Sequence, residues 1–353
     1  MNSYQKKKII SFSAPFLTFL QTHRLFGPFY SGCGHILTFH RVIPDTAEVR
    51  IHNHQSLEIT PEHFEQTILF FQKRGYAFYS LDQLYESLLR GRFSKKFVVF
   101  TFDDGYRDNF TLAYPILKKY GIPFTMYITT NFPDRKAILW WYILEDMLRK
   151  KEQVQFRWGG RDYFFRCRSL VEKEAVFDEV RTLINKSFSQ PDFRKMLRAI
   201  FSDFQPNPFA YADSIAMSWD EIREISQDPL ATIGAHSVNH FPLKKLDSEA
   251  LVREIKESKE GIESKIQQVV EHFAYPFGKS TEASLREFEM VKSLGFKTAT
   301  TTRMGNIFPA HRCHLECLPR ISINKATKKP VLQLQTSGML PCLYHKGKKV
   351  ITH

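Results

Sequence analysis

The chain has 353 residues, of which 43% are hydrophobic and 14% aromatic, and its formal net charge is +13. This composition excludes a disordered protein and predicts a sizeable core in one large domain or two smaller ones. The charge is uneven, because residues 1–50 and 325–353 together carry +10 of the +13. A nearly neutral body argues against nucleic-acid binding, whereas the basic ends favour contact with phosphate or lipid headgroups.

The N-terminal residues, 1–34, place a lysine cluster before an apolar run of about a dozen residues, the outline of a signal peptide. Pro15 interrupts this run, and His23 and Arg24 stand where small residues mark a cleavage site. The run is also short for a membrane span. Apolar residues recur at roughly helical spacing, at Ile9, Phe12, Phe16, Phe19 and Leu20. We expect an amphipathic segment that lies either on a membrane or on the protein itself.

Five scattered cysteines form no dense framework and favour a reducing compartment. With the N-terminus lacking a cleavage site, they predict a cytoplasmic protein that is peripheral on the inner membrane. Cys313 and Cys317 enclose His314, which is a spacing found in metal sites. No second thiol pair lies near them in the sequence, so ordinary structural cysteines are the other interpretation.

From residue 35 onward, β-rich runs alternate with helical patterns, which predicts an α/β fold with parallel strands. Strands are expected at 35–42, 97–102, 124–130, 231–236, 272–277, 296–301 and 318–323. Helices are expected at 61–75, 111–121, 248–266 and 281–295. Three of these helical patterns end in glycine, as helices commonly do.

Residues 133–215 interrupt this alternation and are expected to form a mostly helical insertion, either a lid facing the substrate or a surface elaboration. Two helical patterns flank an aromatic hairpin, VQFRWGGRDYFFR, whose Gly159-Gly160 suits a tight turn. Residues 325–353 are expected to be a basic tail.

Two neighbouring carboxylates, Asp103 and Asp104 of TFDDG, follow the apolar strand at 97–102. In parallel α/β folds the carboxyl ends of strands face the active site. An adjacent pair alone is more often a solvated turn or a helix cap.

Two imidazoles four residues apart, His236 and His240 of HSVNH, follow the strand at 231–236. Taken alone, such a pair is more often a set of ordinary hydrogen-bonded histidines. Two His and one Asp suit zinc, however, and leave coordination positions open for water and substrate, as in catalytic sites. The strand-end aspartates and histidines together therefore predict metal binding.

TFDDG, HSVNH and YPFG, in this order, resemble the motifs of the polysaccharide deacetylases, carbohydrate esterase family four. The resemblance covers roughly 35–130 and 216–324, so the barrel is placed at 35–132 and 216–324. It implies a deformed (β/α) barrel whose enzyme removes acetyl groups from N-acetylated sugars by metal-assisted hydrolysis, a reaction on a non-peptide carbon–nitrogen bond.

Carried over by position, the resemblance makes Asp104, His236 and His240 the metal ligands and Asp103 the general base. The implied cofactor is a divalent metal, most often Zn²⁺, with Co²⁺ or Ni²⁺ as alternatives. A cation offsets the like-charge cost of the aspartate pair and leaves one carboxylate free for proton transfer.

In YPFG, Tyr275 and Phe277 are the expected substrate-binding residues. The resemblance implies that the Phe277 backbone N–H, together with the metal, stabilises the negative charge that develops on the acetyl oxygen. Many members of the family carry a catalytic histidine near the end of the domain, and this sequence has none in that place. ILTFHRV resembles the relatives that carry this histidine on the first strand, which makes His40 the expected general acid, or else a hydrogen-bonded strand-end residue. In the third motif of the family an arginine often orients the base, and Ala274 stands in its place in this sequence. Arg320 either substitutes for that arginine or is an ordinary surface ion-pair residue.

The expected substrate is an N-acetylhexosamine in a polysaccharide of the bacterial cell envelope, or in its lipid-linked precursor. Two alternatives stay open: a glycan-binding protein that lost turnover, and a hydrolase of another acyl bond such as an O-acetyl ester or a cyclic amide.

Overall fold

The computed structural model describes residues 12–46, 48, 50–188, 191–204 and 207–352. The chain divides into two compact units. The first comprises Met1–Pro44, Leu57–Asp134 and Met217–His353, and the second comprises Asp45–Ser56 and Arg135–Ala216. The lysine cluster and Ile9, on which part of the N-terminal prediction rests, lie outside the described residues.

Twelve strands are described, and most belong to the first unit. They are β1 (Gly34–Phe39), β2 (Arg41–Val42), β3 (Glu58–Ile59), β4 (Ala77–Phe78), β5 (Phe97–Phe102), β6 (Phe124–Ile128), β7 (Gln153–Trp158), β8 (Arg161–Arg166), β9 (Ala231–Ala235), β10 (His272–Ala274), β11 (Thr298–Met304) and β12 (Leu318–Ser322).

Seven of these strands close into a parallel barrel in the order β1, β12, β11, β10, β9, β6 and β5, and β1 pairs with β5 to complete the ring. The short strand β4 adds to the outer edge of β5. Strands β1, β5 and β6 are buried along their whole length, which explains their continuous apolar sequences. The predicted deformed (β/α) barrel is confirmed.

Helices connect and cover the strands. In the first unit, α-helices span 12–19, Thr22–Tyr30, Pro61–Gln72, Leu81–Arg90, Tyr114–Tyr120, Trp219–Ser226, Ser248–Ile266, Leu285–Ser293, Lys329–Thr336 and Met339–Tyr344. One π-helical turn, Asn109–Ala113, and three 3₁₀ turns, Leu243–Lys245, Pro309–Cys313 and Leu315–Cys317, complete its helical segments.

Local sequence explains several helix ends. Ser80 and Gln83 form a reciprocal capping box at the start of Leu81–Arg90, and Gly91 ends that helix in the left-handed conformation. The helical pattern at Leu81–Arg90 was not among the predicted helices, although its cap is readable in the sequence. Five of the predicted strand segments run one to three residues too far at their carboxyl ends, and the residues just beyond β1, β9 and β10 belong to the site loops. The segment 97–102 matches β5, and 296–301 ends three residues before β11 does.

The second unit contains α-helices at His52–Gln55, Trp140–Lys150, Leu170–Lys186, Phe193–Ile200 and Ala210–Ile215. Strands β7 and β8 form the predicted antiparallel hairpin, with Trp158 opposite Arg161. Gly159 and Gly160 both have positive φ, as a tight two-residue turn requires. The hairpin prediction is confirmed.

Residues 45–56 join this unit, which the sequence did not indicate. The buried Glu145 carboxylate explains the join, since it accepts hydrogen bonds from the Ile51 backbone N–H and the Arg50 guanidinium and pairs with His54. A long-range contact of this kind leaves no local sequence pattern.

The terminal segments of the chain pack together. Ala14 is fully buried in a cluster with Val331, Leu334, Met339 and Leu340, and Leu17, Phe26 and Met304 pack against this cluster. Residues 329–344 are therefore two helices on a core, where the sequence led us to expect a basic tail. Among the described residues, no helix has both the length and the apolar character needed to cross a bilayer.

Candidate active site

The predicted site residues of the barrel gather at the carboxyl ends of its strands. Asp103 and Asp104 follow β5, His40 follows β1, and His236 follows β9. Arg320 lies within β12. All of them belong to the first unit, so closure of the barrel brings together residues that are far apart in the sequence.

The loop after β5 holds Asp104 in an uncommon backbone conformation. Its φ is 78°, in the left-handed region, and Gly105 follows with a φ of 94°. The Thr129 N–H donates to the Asp104 carbonyl at 3.3 Å and ties this loop to the end of β6. A non-glycine residue held in this region costs free energy, and such strain is typical of functional sites.

Three buried or nearly buried side chains converge on one point. The Asp104 Oδ1 atom lies 3.4 Å from His236 Nε2 and 3.2 Å from His240 Nε2. One ligand atom from each residue lies within 4.8 Å of the others, so the three could hold one metal ion. Two imidazoles and one carboxylate match the donor set of a catalytic zinc site.

The hydrogen bonds of this cluster test whether a cation fits. His236 Nδ1 lies 2.7 Å from the Ala274 carbonyl and donates its proton there, which leaves a lone pair on Nε2 facing Asp104. Asp104 Oδ1 is buried and accepts no hydrogen bond from the described residues. Two facing acceptors repel each other, so a cation between them supplies the missing partner.

The electrostatics point in the same direction. Burial acts to raise the pKa of Asp104, but the His240 and His236 imidazoles outweigh it and hold that pKa well below its usual range. Burial acts to lower the pKa of His236, yet the Asp104 and Asp103 carboxylates outweigh it and raise that pKa. The buried carboxylates therefore favour positive charge at this point, which either a proton on the imidazoles or a cation held by the neutral imidazoles supplies.

Asp103 points to a different partner. Its two carboxylate oxygens each accept a hydrogen bond from Arg320, at 2.7 Å from Nη1 and 2.7 Å from Nη2. Burial raises the pKa of Asp103, but Arg320 and nearby imidazoles outweigh this effect and lower it. Thr38 Oγ1 lies 3.4 Å from Oδ2. Asp103 is thus ionised and oriented while Asp104 faces the histidines.

Arg320 is itself fixed inside the barrel. Its side chain is fully buried, its Nε–H donates to the Thr301 carbonyl at 2.9 Å, and Nη1 also donates to Thr101 Oγ1 at 3.1 Å. The guanidinium carbon lies 5.7 Å from the centre of the Tyr127 ring. Arg320 was expected either to orient the base or to form an ordinary surface ion pair. This buried, bidentate geometry supports the first interpretation.

His40 lies beside the base, with its Nε2 3.9 Å from Asp103 Oδ2. Burial lowers the pKa of His40 despite the opposing effect of Asp104 and Asp103. Asn109 Nδ2 donates to the His40 carbonyl at 2.9 Å and Asp108 Oδ1 accepts from the Val42 N–H at 2.7 Å. The segment just after TFDDG therefore holds the end of the first strand in place.

The YPFG loop places Phe277 over the cluster. The ring centre of Phe277 lies 4.8 Å from that of His240, and Phe277 has a φ of 60°. Gly278 has a φ of 62°, and a Cβ there would lie 2.5 Å from the Thr302 nitrogen, so only glycine fits. The role of the Phe277 N–H stays a prediction.

The Tyr275 side chain lies away from this position. It is fully buried, its hydroxyl donates to the Glu316 carbonyl at 2.8 Å, and its ring packs against Phe288. We expected Tyr275 to contact the substrate, and this burial corrects that expectation for its side chain. The alternation of side chains at a strand end turns Tyr275 to the face opposite the site.

Glu254 is a site-supporting residue that sequence reasoning missed. Its buried carboxylate accepts from the Val238 N–H at 3.1 Å, the Asn239 N–H at 2.9 Å and Asn239 Nδ2 at 2.6 Å. These bonds fix the loop between His236 and His240. The sequence does not single out Glu254, because it is one of several acids in the charged helical pattern at 248–266.

His314, Glu316 and Cys317 form a second group of close ligand-type atoms. The exposed Cys313 is not part of it. Burial raises the pKa of the Cys317 thiol to about 12, which opposes the thiolate form that binds metal. This favours the interpretation of Cys313 and Cys317 as ordinary structural cysteines.

Known proteins share this fold and its motifs. The polysaccharide deacetylase family model matches residues 90–156 and 203–299. YxkH of Bacillus subtilis (strain 168), a candidate polysaccharide deacetylase, is 36% identical over 74 residues, which are 21% of this chain and 26% of YxkH. The chain thus matches about a quarter of that relative's length.

Solved structures resemble the chain over most of its length. The Streptococcus pyogenes deacetylase PplD in complex with acetate has a TM-score of 0.56 at 20% identity, covering 86% of this chain and 97% of PplD. IcaB from Ammonifex degensii has a TM-score of 0.51 at 17% identity, covering 86% of this chain and 97% of IcaB.

A third solved structure, a de-N-acetylase from Aggregatibacter actinomycetemcomitans, has a TM-score of 0.54 at 17% identity. The alignment covers 86% of this chain and 99% of that enzyme. At these identities the likeness shows a common fold, and the family match adds the common sequence motifs. The two matched segments, which contain TFDDG, HSVNH and YPFG, are therefore similar to the polysaccharide deacetylase family, as these motifs predict.

Proposed function

We propose that this chain is a metal-dependent N-deacetylase acting on an N-acetylhexosamine of a surface polysaccharide or of its lipid-linked precursor. The observation that carries the proposal is the Asp104–His236–His240 cluster beside an Asp103 that Arg320 orients. The polysaccharide deacetylase match and the acetate-bound PplD structure support the removal of an acetyl group.

Asp104, His236 and His240 would hold the divalent cation, with Zn²⁺ expected from the donor set. When bound, such a cation polarises the acetyl carbonyl and makes water a better nucleophile. The carbonyl at Ala274 fixes the His236 tautomer, so that Nε2 is the nitrogen available as a ligand.

Asp103 acts as the general base. Its carboxylate takes a proton from the attacking water as the new bond forms between water oxygen and acetyl carbon. The bidentate bond from Arg320 fixes the plane of this carboxylate and keeps it ionised near neutral pH. It therefore needs no change of protonation state before each turnover.

His40 completes the proton transfer. Its lowered pKa makes the imidazole neutral near pH 7, so it first receives a proton, and Asp103 Oδ2 is the carboxylate oxygen 3.9 Å away. Protonation of the leaving nitrogen by His40 then breaks the carbon–nitrogen bond, which yields acetate and a free amine on the sugar.

Of the alternatives, the glycan-binding interpretation rested on the missing arginine at Ala274. Arg320 provides a bidentate guanidinium to the base from another strand, so that reason no longer favours a protein without turnover. Hydrolysis of another acyl bond would use the same Asp103 and metal ligands, and the substrate assay distinguishes it.

The test is acetate release from N-acetylglucosamine oligomers and from a lipid-linked N-acetylhexosamine, with O-acetylated sugars in parallel. We expect release by the metal-loaded wild type and none by Asp103→Asn or His236→Ala. Asp103→Asn should retain the metal, whereas His236→Ala should lose or weaken it. Metal binding without acetate release from any N-acetylated substrate would contradict the proposal, and release from O-acetyl sugars alone would favour an esterase.

A further inference from the structure

The two N-terminal helices, 12–19 and Thr22–Tyr30, turn large apolar side chains to solvent. Phe12 is 89% exposed and Phe19 82%, and the other exposed members are Phe16, Leu20, Leu25 and Phe29. Phe12, Phe16 and Phe19 recur at the spacing of one helix face, as do Leu25 and Phe29 on the second helix. We call these six side chains the terminal apolar face. Six large exposed apolar side chains on two consecutive helices indicate an interaction site.

The opposite side of the same helices is anchored to the first unit. Ala14 is buried, and Leu17 and Phe26 pack against the cluster of helices Lys329–Thr336 and Met339–Tyr344. Thr22 Oγ1 also lies 3.5 Å from Met339 Sδ. The helices therefore have a buried side and an exposed side that are both apolar, and the core does not account for the exposed one.

The two ends of the sequence, which supply these helices and the helices they pack on, are rich in basic residues and lack acids. Residues 1–44 and 325–353 contain no Asp or Glu, and they include Lys6 to Lys8, Arg24 and the C-terminal lysines Lys346, Lys348 and Lys349. Packing of the two ends brings some of these charges to the helices. The Lys349 Nζ atom, for example, lies 5.2 Å from the centre of the Tyr30 ring.

We propose that the terminal apolar face docks on the surface of an anionic phospholipid bilayer. Phenylalanine and leucine side chains of an amphipathic helix insert at the boundary of headgroups and acyl chains, and neighbouring lysines attract anionic headgroups. The helices lie along the bilayer surface, since no helix in the described part of the chain is long and apolar enough to cross a bilayer. The same charge disfavours a second copy of the chain as the partner, because pairing would bring like charges together.

This docking goes beyond the catalytic proposal and does not depend on it. It places the deacetylase domain at a membrane, where lipid-linked saccharides are found, but vesicle binding needs neither the metal nor turnover. A failure of one proposal therefore leaves the other standing.

The test is flotation of the full chain with vesicles of phosphatidylcholine alone and of phosphatidylcholine with phosphatidylglycerol. We expect binding to the anionic vesicles at least roughly tenfold stronger than to the neutral ones. Serine at Phe12, Phe16 and Phe19 together should abolish this binding. Glutamate at Lys346, Lys348 and Lys349 together should weaken it by roughly tenfold or more.

Matched controls distinguish the effect of the terminal apolar face from a general effect of removing exposed apolar side chains or lysines. Serine at the exposed apolar residues Val171, Val269 and Leu285, and glutamate at the exposed Lys256, Lys265 and Lys292, should leave vesicle binding within about twofold of wild type. An unchanged melting temperature and an unchanged far-UV circular dichroism spectrum show that each variant is folded.

Three results would overturn the proposal. One is absence of binding to anionic vesicles, and another is binding that survives the three serine substitutions. The third is a wild-type dimer that these substitutions convert to a monomer while vesicle binding is absent, which would assign the face to a second copy of the chain. Equilibrium sedimentation measures this oligomeric state.

Discussion

The adjacent carboxylates of TFDDG have different partners, and this difference gives them different chemistry. Asp104 faces two imidazoles, whereas Asp103 binds a buried guanidinium. A positive φ at Asp104 turns the backbone between them and allows neighbouring side chains to point to separate partners. The proposed base and the proposed metal ligand are thus separated by a single peptide unit.

At the residue scale, we predict that Arg320→Lys lowers kcat by about 100-fold, because an ammonium cannot hold both oxygens of Asp103 in one plane. KM and metal content should change little, since Arg320 contacts neither histidine in the described hydrogen bonds. Steady-state kinetics of acetate release with metal analysis checks this.

The matched control is Arg303→Lys. Arg303 is also buried, but it donates to the Thr352 and Ala283 carbonyls. It should lose stability with a near-normal kcat in the fraction that stays folded. An equal loss of kcat in both variants would mean that Arg320 acts only through stability.

At the scale of elements, the helix Ser248–Ile266 supports the loop between His236 and His240 through Glu254. We predict that Glu254→Gln weakens metal affinity by about 10- to 100-fold, because a neutral amide accepts the loop N–H bonds less strongly than a carboxylate. Equilibrium dialysis against Zn²⁺ measures the change. Glu257→Gln, an exposed position of the same helix, should keep wild-type affinity. Equal affinities for the two variants would contradict a supporting role.

The packing of the two ends of the chain depends on one glycine. Gly338 has a φ of 82°, and a Cβ there would lie 2.1 Å from the Tyr30 carbonyl oxygen. We predict that Gly338→Ala destabilises the protein by about 3 kcal/mol or more, from strain at positive φ and a backbone clash. Denaturant unfolding measures the free energy.

Gly75→Ala provides the comparison for Gly338→Ala. Its φ is 70°, but nothing lies within 4 Å of the added Cβ. It should cost only about 1 kcal/mol, the strain alone. An equal loss of unfolding free energy in Gly338→Ala and Gly75→Ala would contradict the close approach of Gly338 to the Tyr30 carbonyl.

At the scale of the whole molecule, buried neutral histidines link stability to pH. Burial lowers the pKa of His35 to about 3 and of His311 to about 4, from an ordinary 6.5. Above pH 6.5 both are neutral in the folded and unfolded states. Below it the unfolded chain binds protons that the folded chain excludes, so stability falls with pH until the folded pKa values are reached.

We therefore predict a loss of about 1.4 kcal/mol per pH unit from each histidine below pH 6.5. His35→Gln, which keeps a polar group opposite Asn306, should be less stable at pH 7.5 but should flatten the pH dependence by about that amount. Unfolding free energies at pH 7.5, 6.5 and 5.5 test this. A variant with the wild-type slope would show that His35 is protonated in the folded protein.

The sequence by itself determined the barrel and named the residues of the candidate metal site. Continuous apolar strands, glycine-ended helices and the TFDDG, HSVNH and YPFG motifs are local patterns, so Asp103, Asp104, His236 and His240 could be named without coordinates. The hairpin turn at Gly159-Gly160 is local for the same reason.

Only the tertiary structure decided which distant side chains meet these motifs. Arg320 reaches Asp103 across 217 positions because barrel closure makes their strand ends neighbours, and Tyr275 turns into the core because of its place at a strand end. The helices of 329–344 were hidden in a basic tail because their apolar partners lie at the other end of the chain. Contacts between distant segments leave no periodic signal in either segment, so they become visible only when the chain is folded.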